Sequence, residues 1–140
     1  MMTARDDTPQ ILIDIVDETF VRASPREVRS TFDRLRPDAL WPNLTPEVMT
    51  DRGPLGVRWH IEGEVVGRME VWLEGLDQGT IVHHFVQGHL SPPPAWSRVI
   101  GRVWPRWAAQ RAAADYRRRH ARHWKSAIHT LKDHVEGRER

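Results

Sequence analysis

VRWHIEGEVVGRMEVWL, residues Val57 to Leu73, decides the fold. Val57, Trp59, Ile61, Gly63 and Val65 alternate with Arg58, His60, Glu62 and Glu64, and then Met69, Val71 and Leu73 alternate with Arg68, Glu70, Trp72 and Glu74. Successive side chains of a strand point to opposite faces, so each half of this stretch reads as a strand with one dry and one wet face. Val66-Gly67 supplies the turn between them. The loop Gly75-Leu-Asp-Gln-Gly79 then returns the chain into Thr80-Ile-Val-His-His-Phe-Val-Gln-Gly-His-Leu90, giving an antiparallel meander.

Upstream, Leu44 to Asp51 forms a short strand closed by the turn signal Arg52-Gly53-Pro54. Residues 11–22, ILIDIVDETFVR, form the first strand. Ser24-Pro25 followed by Glu27 then starts a helix, because serine caps free backbone N–H groups and proline in the first turn loses no hydrogen bond. Val28, Thr31, Phe32 and Leu35 give that helix its apolar face, Arg36-Pro37 ends it, and a second brief helical turn runs from Pro37 to Trp41. Downstream, Ser91-Pro-Pro-Pro94 breaks regular structure. Ala95 to Val103 forms a short amphipathic helix burying Trp96, Val99, Ile100 and Val103. Pro105 opens a long last helix reaching Glu136, with Gly137 past its end. Its stripe is Tyr116, His120, Trp124, Ala127, Ile128, Leu131 and Val135. The fold class is therefore α+β: a curved antiparallel sheet wrapped around a long C-terminal helix, with two short helices after the first strand.

The 140 residues are read as a flexible N-terminus, 1–9, and a single domain, 10–137, in which 91–104 is a Pro/Trp-rich connection with its short helix and 105–136 the long helix. The absence of cysteine excludes disulfides, thiolate metal sites and cysteine nucleophiles, and fits a cytoplasmic location. No apolar stretch approaches the length of a membrane span, and MMTARDDTPQ has no signal-peptide core. Net charge is only +2, but arginine is concentrated between Arg98 and Arg122. Seven tryptophans against one tyrosine suggest large apolar volumes to fill or line.

Several motifs, taken in order, resemble the START-like helix-grip (SRPBCC) superfamily, in its bacterial polyketide cyclase/dehydrase and lipid-transport branch. They are Val21-Arg-Ala-Ser-Pro-Arg-Glu-Val28 with Trp41-Pro42 after it, Gly79-Thr-Ile-Val82 opening a late strand, and His123-Trp-Lys-Ser-Ala-Ile-His-Thr-Leu-Lys-Asp133 in the last helix. The likeness covers nearly the whole chain. It implies a cavity between sheet and C-terminal helix that takes apolar or aromatic small molecules, and in a few members a cyclase or aromatase activity. The family usually has six or seven strands where five are counted here, which implies a small pocket or one open at a side.

His83 and His84 cannot both line one pocket, because adjacent strand residues face opposite ways. A two- or four-residue loop before the strand turns Val82, His84 and Val86 inward, and a three-residue loop turns His83 inward; the family pattern after Gly79-Thr80 favours His84. The expected lining is Trp59, Ile61, Met69, Val71, Leu73, His84, Val86, Tyr116, His120 and Trp124. His84 and His120, with Tyr116, are the candidates for acid/base chemistry. Glu62, Glu64, Glu70 and Glu74 are read as solvated. No H-E-x-x-H or Cys/His array is present, so neither a metal nor a cofactor is expected. The arginines 102, 106, 111, 118, 119 and 122 mostly fall opposite the apolar stripe and read as a solvated helix face rather than a nucleic-acid footprint. Trp96, Trp104 and Trp107 beside them leave peripheral membrane contact open. Outside the sheet, His83 is expected beside Trp72, Ile81 and Phe85 in an exposed patch suited to a homodimer. The leading functional expectation is binding of an apolar or aromatic, polyketide- or lipid-like molecule. The alternatives are a polyketide cyclase or dehydratase, and a pocketless interaction module, which a filled interior would favour.

Overall fold

The alternating segments become a five-stranded antiparallel sheet in the computed structural model, which describes residues 11–35, 41, 43–91 and 105–137. The elements are β1 (Leu12–Val21), α1 (Pro25–Arg34), β2 (Leu44–Asp51), β3 (Gly56–Gly63), β4 (Val65–Leu76), β5 (Gly79–Leu90) and α2 (Arg106–Val135), with a short 3-10 turn at Gly53–Leu55 before β3. The strand order is β1-β5-β4-β3-β2. β5, the last strand of the meander, thus runs between β1 and β4, and α2 closes over the inner face. The second helical turn at Pro37 to Trp41, the short helix at Ala95 to Val103 and the N-terminus 1–9 lie wholly or mainly outside the described residues.

Register follows from the β4–β5 turn. Leu76 pairs with Gly79, so only Asp77 and Gln78 are left to turn the chain, and Val71 faces His84, Trp72 faces His83 and Leu73 faces Val82. A one-residue slip would invert every side chain. Trp59, Ile61, Met69, Val71, Leu73, Val82, His84 and Val86 therefore all point into the core.

The β3–β4 turn lies elsewhere than the sequence suggests. It sits at Gly63-Glu64, while Val66 and Gly67 already pair with His89 and Gly88 inside the sheet. Gly63 has φ +114, a conformation L side chains rarely adopt, and a Cβ there would overlap the Asn43 carbonyl oxygen. A chain scanned for turn dipeptides offers Val66-Gly67 as readily, but of the two glycines only Gly63 has the positive φ of a turn, whereas Gly67 is a close-approach position inside the sheet, where a Cβ would meet the Gln87 carbonyl oxygen. Gly63→Ala is expected to cost about 2–3 kcal/mol by urea denaturation; an unchanged midpoint would show that the turn tolerates a side chain.

α1 starts as read from Ser24-Pro25: the Ser24 hydroxyl accepts the Glu27 N–H at 3.2 Å. Val28, Thr31 and Phe32 are buried beneath it. Arg29, on the other face, donates to Asp33 Oδ1 (2.9 Å), to both carboxylate oxygens of Asp51 (2.8 and 2.9 Å), and to the carbonyls of Gly53 (2.8 Å) and Gly56 (3.2 Å). One guanidinium so ties α1 to the end of β2 and the turn into β3. Its charge and the Gly53 N–H hold the Asp51 carboxyl down at about 2.

α2 buries Tyr116, His120, Trp124, Ile128 and Leu131 as the stripe predicts, and its buried face extends back through Ala108, Ala109 and Ala113. The stripe was legible only where its side chains are large. The Arg22 N–H donates to Glu136 Oε2 at 2.9 Å, fastening the end of α2 to the end of β1. Among the described residues, no helix is long and apolar enough to cross a membrane.

Candidate functional site

Where α2 crosses β5, flat side chains stack through the interior. The Trp124 and His84 rings lie 4.1 Å apart between centroids, His84 and His120 5.1 Å, and His120 and Trp41 6.2 Å, with planes within 19° of parallel in each pair. Trp41 also stacks on His84 at 5.9 Å and meets Trp59 edge-on at 5.7 Å. Offset stacking and edge contacts at these separations are favourable aromatic geometries. Trp124 is held at the far end because its indole N–H donates to Asp17 Oδ2 at 2.8 Å.

A chain of hydrogen bonds runs through this column. His84 Nδ1 lies 3.1 Å from the Glu70 carbonyl oxygen, His84 Nε2 lies 2.8 Å from His120 Nε2, and His120 Nδ1 lies 3.2 Å from the Tyr116 hydroxyl. A carbonyl only accepts, so His84 carries its proton on Nδ1. With His84 neutral, its Nε2 is a lone pair and His120 must donate to it from Nε2. His120 Nδ1 is then the acceptor, and the Tyr116 O–H donates into it. One backbone oxygen thus sets both tautomers and the direction of a phenol's hydrogen.

The imidazoles are neutral because the interior is dry. His84 is pushed down to about 3, first by burial and then by the neighbouring His120, against a smaller opposite pull from the Glu70 carbonyl. His120 is pushed down to about 4 by burial and by His123. Tyr116 is raised, by burial first and the Glu64 carboxylate second. Each shift disfavours the charged form, the signature of desolvation.

At the Tyr116 end the column meets a cleft of about 20 Å³, lined by Trp41, Asn43, Leu44, Glu64, Tyr116, Arg119, His120 and His123. That is room for roughly one water or hydroxyl. Its floor is buried Trp41, Tyr116 and His120, and its rim is the exposed Asn43 and His123. Arg119 spans Glu64 and Asp115, donating to Glu64 Oε1 at 3.0 Å and Asp115 Oδ2 at 2.8 Å, with its guanidinium 5.8 Å from the Tyr116 ring centre. The Trp41 indole N–H is buried and has no hydrogen-bond acceptor among the described residues.

Of the ten expected lining residues, only Tyr116 and His120 reach this cleft, so the described interior between sheet and helix is largely filled, the condition that favours the pocketless interaction module over an enclosed ligand cavity. Trp59, Ile61, Met69, Val71, Leu73, His84, Val86 and Trp124 are buried in the core, and His84 meets the cleft only through His120. Trp41, Glu64 and Arg119 were not singled out for the site. Glu64 is not simply solvated as its wet-face position suggests: the turn at Gly63 redirects it onto Arg119, 55 residues away. Glu70 likewise pairs with Arg58 and Arg52. No local pattern announces such pairs. The one available hint was Arg119 three residues after Tyr116, a spacing that shares a helix face.

On the outer face, His83 stacks on Trp72 at 4.4 Å, as the register requires, but it is buried rather than exposed, with Nδ1 2.9 Å from Glu18 and Nε2 2.9 Å from Glu74. Val16, Phe20 and Trp72 remain exposed around it. His89 continues on the His83 side, with no bulge at Gly88. Among the described residues, no group of three or more His, Cys, Asp or Glu could hold a metal ion.

No protein-family model matches the chain, and no curated protein matches it. Solved structures do. The di-domain ARO/CYC StfQ from the steffimycin biosynthetic pathway superposes with a TM-score of 0.63 at 11% identity, over 91% of this chain and 52% of that one. The chain thus spans about half the length of that protein. SA2116 from Staphylococcus aureus gives 0.59 at 9% identity, over 91% and 96%. The Polyketide_cyc-like protein Cgl2372 from Corynebacterium glutamicum gives 0.56 at 11%, over 89% and 92%. At such identities the likeness is one of fold. With a helix laid across an antiparallel five-stranded sheet and an early helix after the first strand, the chain has a helix-grip fold, shared with these solved structures.

Proposed function

We propose that the protein binds a small apolar or aromatic molecule, polyketide-like in being flat with a few oxygen substituents, and that it does so at the Tyr116 cleft. The observation that supports this is the polar chain from Glu70 to Tyr116, embedded in stacked rings and ending at an opening. Burying four polar groups in an apolar core gains little stability by itself, whereas a polar group fixed at the end of an aromatic surface orients a ligand. The volume available takes an oxygen substituent, so the ring rests against the rim over Leu44, Asn43 and His123, or displaces Trp41. Tyr116, Trp41 and Arg119 are the ligand-facing groups, and His84 and His120 position Tyr116. The neighbours named for polyketide cyclases support the ligand class by analogy of fold.

A second reading, acid/base catalysis through His120 and His84 on a polyketide-like substrate, is favoured by the directed hydrogen-bond chain. Magnitude weighs against it. Protonating an imidazole held at about 4 costs about 4 kcal/mol at neutral pH, and His84 would cost more. A general base works best with a pKa near the working pH.

Native mass spectrometry of protein purified from its own host is expected to show a retained organic molecule. Calorimetry with 1-naphthol is expected to show saturable binding that weakens at least fivefold in Arg119→Ala or Trp41→Ala, in line with the loss of one ligand contact. Protein that carries nothing and takes up no 1-naphthol would end this reading.

A further inference from the structure

The geometry points to a ligand that enters the cleft with a hydroxyl group, a phenol or enol, rather than with a ketone or ether oxygen. This rests on the binding reading above and names the chemistry of its polar anchor. Tyr116 has a hydroxyl, which could in principle donate or accept, but its hydrogen is already committed. The Glu70 carbonyl fixes His84 as the Nδ1–H tautomer, His84 fixes His120 as the Nε2–H tautomer, and His120 Nδ1 takes the Tyr116 hydrogen. What Tyr116 shows to the cleft is therefore an acceptor.

Trp41 lines the same cleft, and its buried indole N–H, which has no acceptor among the described residues, supplies the opposite polarity. An indole nitrogen only donates. The residues lining the cleft so carry a fixed acceptor and a fixed donor beside a space for about one oxygen atom. A hydroxyl satisfies both, donating to Tyr116 Oη and accepting from Trp41 Nε1. A carbonyl or ether oxygen satisfies Trp41 and leaves the Tyr116 lone pairs facing it without a proton between. Sites built around a substrate O–H reject analogues that lack it, because the buried partner is left unpaired.

The test compares 1-naphthol, 1-methoxynaphthalene and naphthalene by calorimetry. The wild-type protein is expected to bind 1-naphthol about tenfold more tightly than 1-methoxynaphthalene, the value of one buried hydrogen bond. In Tyr116→Phe that ratio is expected to fall to near one, a selectivity loss that a merely structural role for Tyr116 would not produce. Equal binding of the two probes by the wild type, or a ratio retained in Tyr116→Phe, overturns the hydroxyl assignment while leaving the binding reading intact. Failure of all three probes to bind removes the binding reading and this inference with it. Independently of any ligand, long-range ¹⁵N–¹H NMR of the two imidazoles at pH 7 is expected to show His84 protonated at Nδ1 and His120 at Nε2. The reverse tautomer at His120 would turn Tyr116 into a donor and overturn the assignment.

Discussion

Between pH 7 and pH 4.5 the protein is expected to lose roughly 5 kcal/mol of stability, about half from each of His84 and His120. Both have folded-state pKa values below the ordinary 6.5 of an unfolded histidine. Below 6.5 the unfolded chain takes up protons that the folded interior refuses, so stability is full above that pH and falls as the pH drops toward 4 and then 3. Asp51 acts in the same sense only at lower pH, since its folded value is about 2. Urea midpoints at pH 7, 6, 5 and 4.5 would trace the slope, and the double variant His84→Leu/His120→Leu is expected to flatten it, whatever its stability at pH 7. A wild-type midpoint that holds steady across this range would mean that these imidazoles are not kept neutral by burial.

Trp124→Ala is expected to cost about 4 kcal/mol, near the upper end for removing a buried aromatic. Trp124 is 2% exposed, lies against His84 at 4.1 Å and bonds Asp17, so truncation opens a void, unsupports His84 and leaves a half-buried carboxylate without its indole donor. Trp124→Phe keeps most of the ring surface and loses the hydrogen bond, and is expected to cost about 1–2 kcal/mol. Denaturation of both variants separates the two contributions. Equal losses would assign the whole effect to the Asp17 bond and none to the stack.

How much of this could be read beforehand depends on the range of the cause. The two-residue period along β5 separated His83 from His84 without any knowledge of the fold, and the three- and four-residue steps along α2 brought Tyr116, His120 and Trp124 to one face. Which of the two histidines turned inward depended on one loop length, and the two-residue turn at Asp77-Gln78 settles it. The β3–β4 turn was misplaced by three residues because two Gly-containing dipeptides compete locally, and the deciding contact, Asn43 against Gly63, comes from 20 residues upstream. The pairs Asp17–Trp124 and Glu64–Arg119 join residues 107 and 55 positions apart, and no spacing within one element encodes them. Trp41 belongs with these. Its motif suggested the fold, but its place against two histidines emerges only when sheet and helix have closed.

The hydrogen-bond chain begins at the main chain of β4, not at a side chain. A side-chain anchor can be lost by a single codon change, whereas this one persists whatever residue occupies position 70. The Glu70 carboxylate, engaged with Arg58 and Arg52 on the other face, is free to diverge without disturbing the tautomers behind it. The polarity that Tyr116 presents is thus inherited with the strand itself, and drift at position 70 leaves it standing, while a change to His84 or His120 erases it in one step.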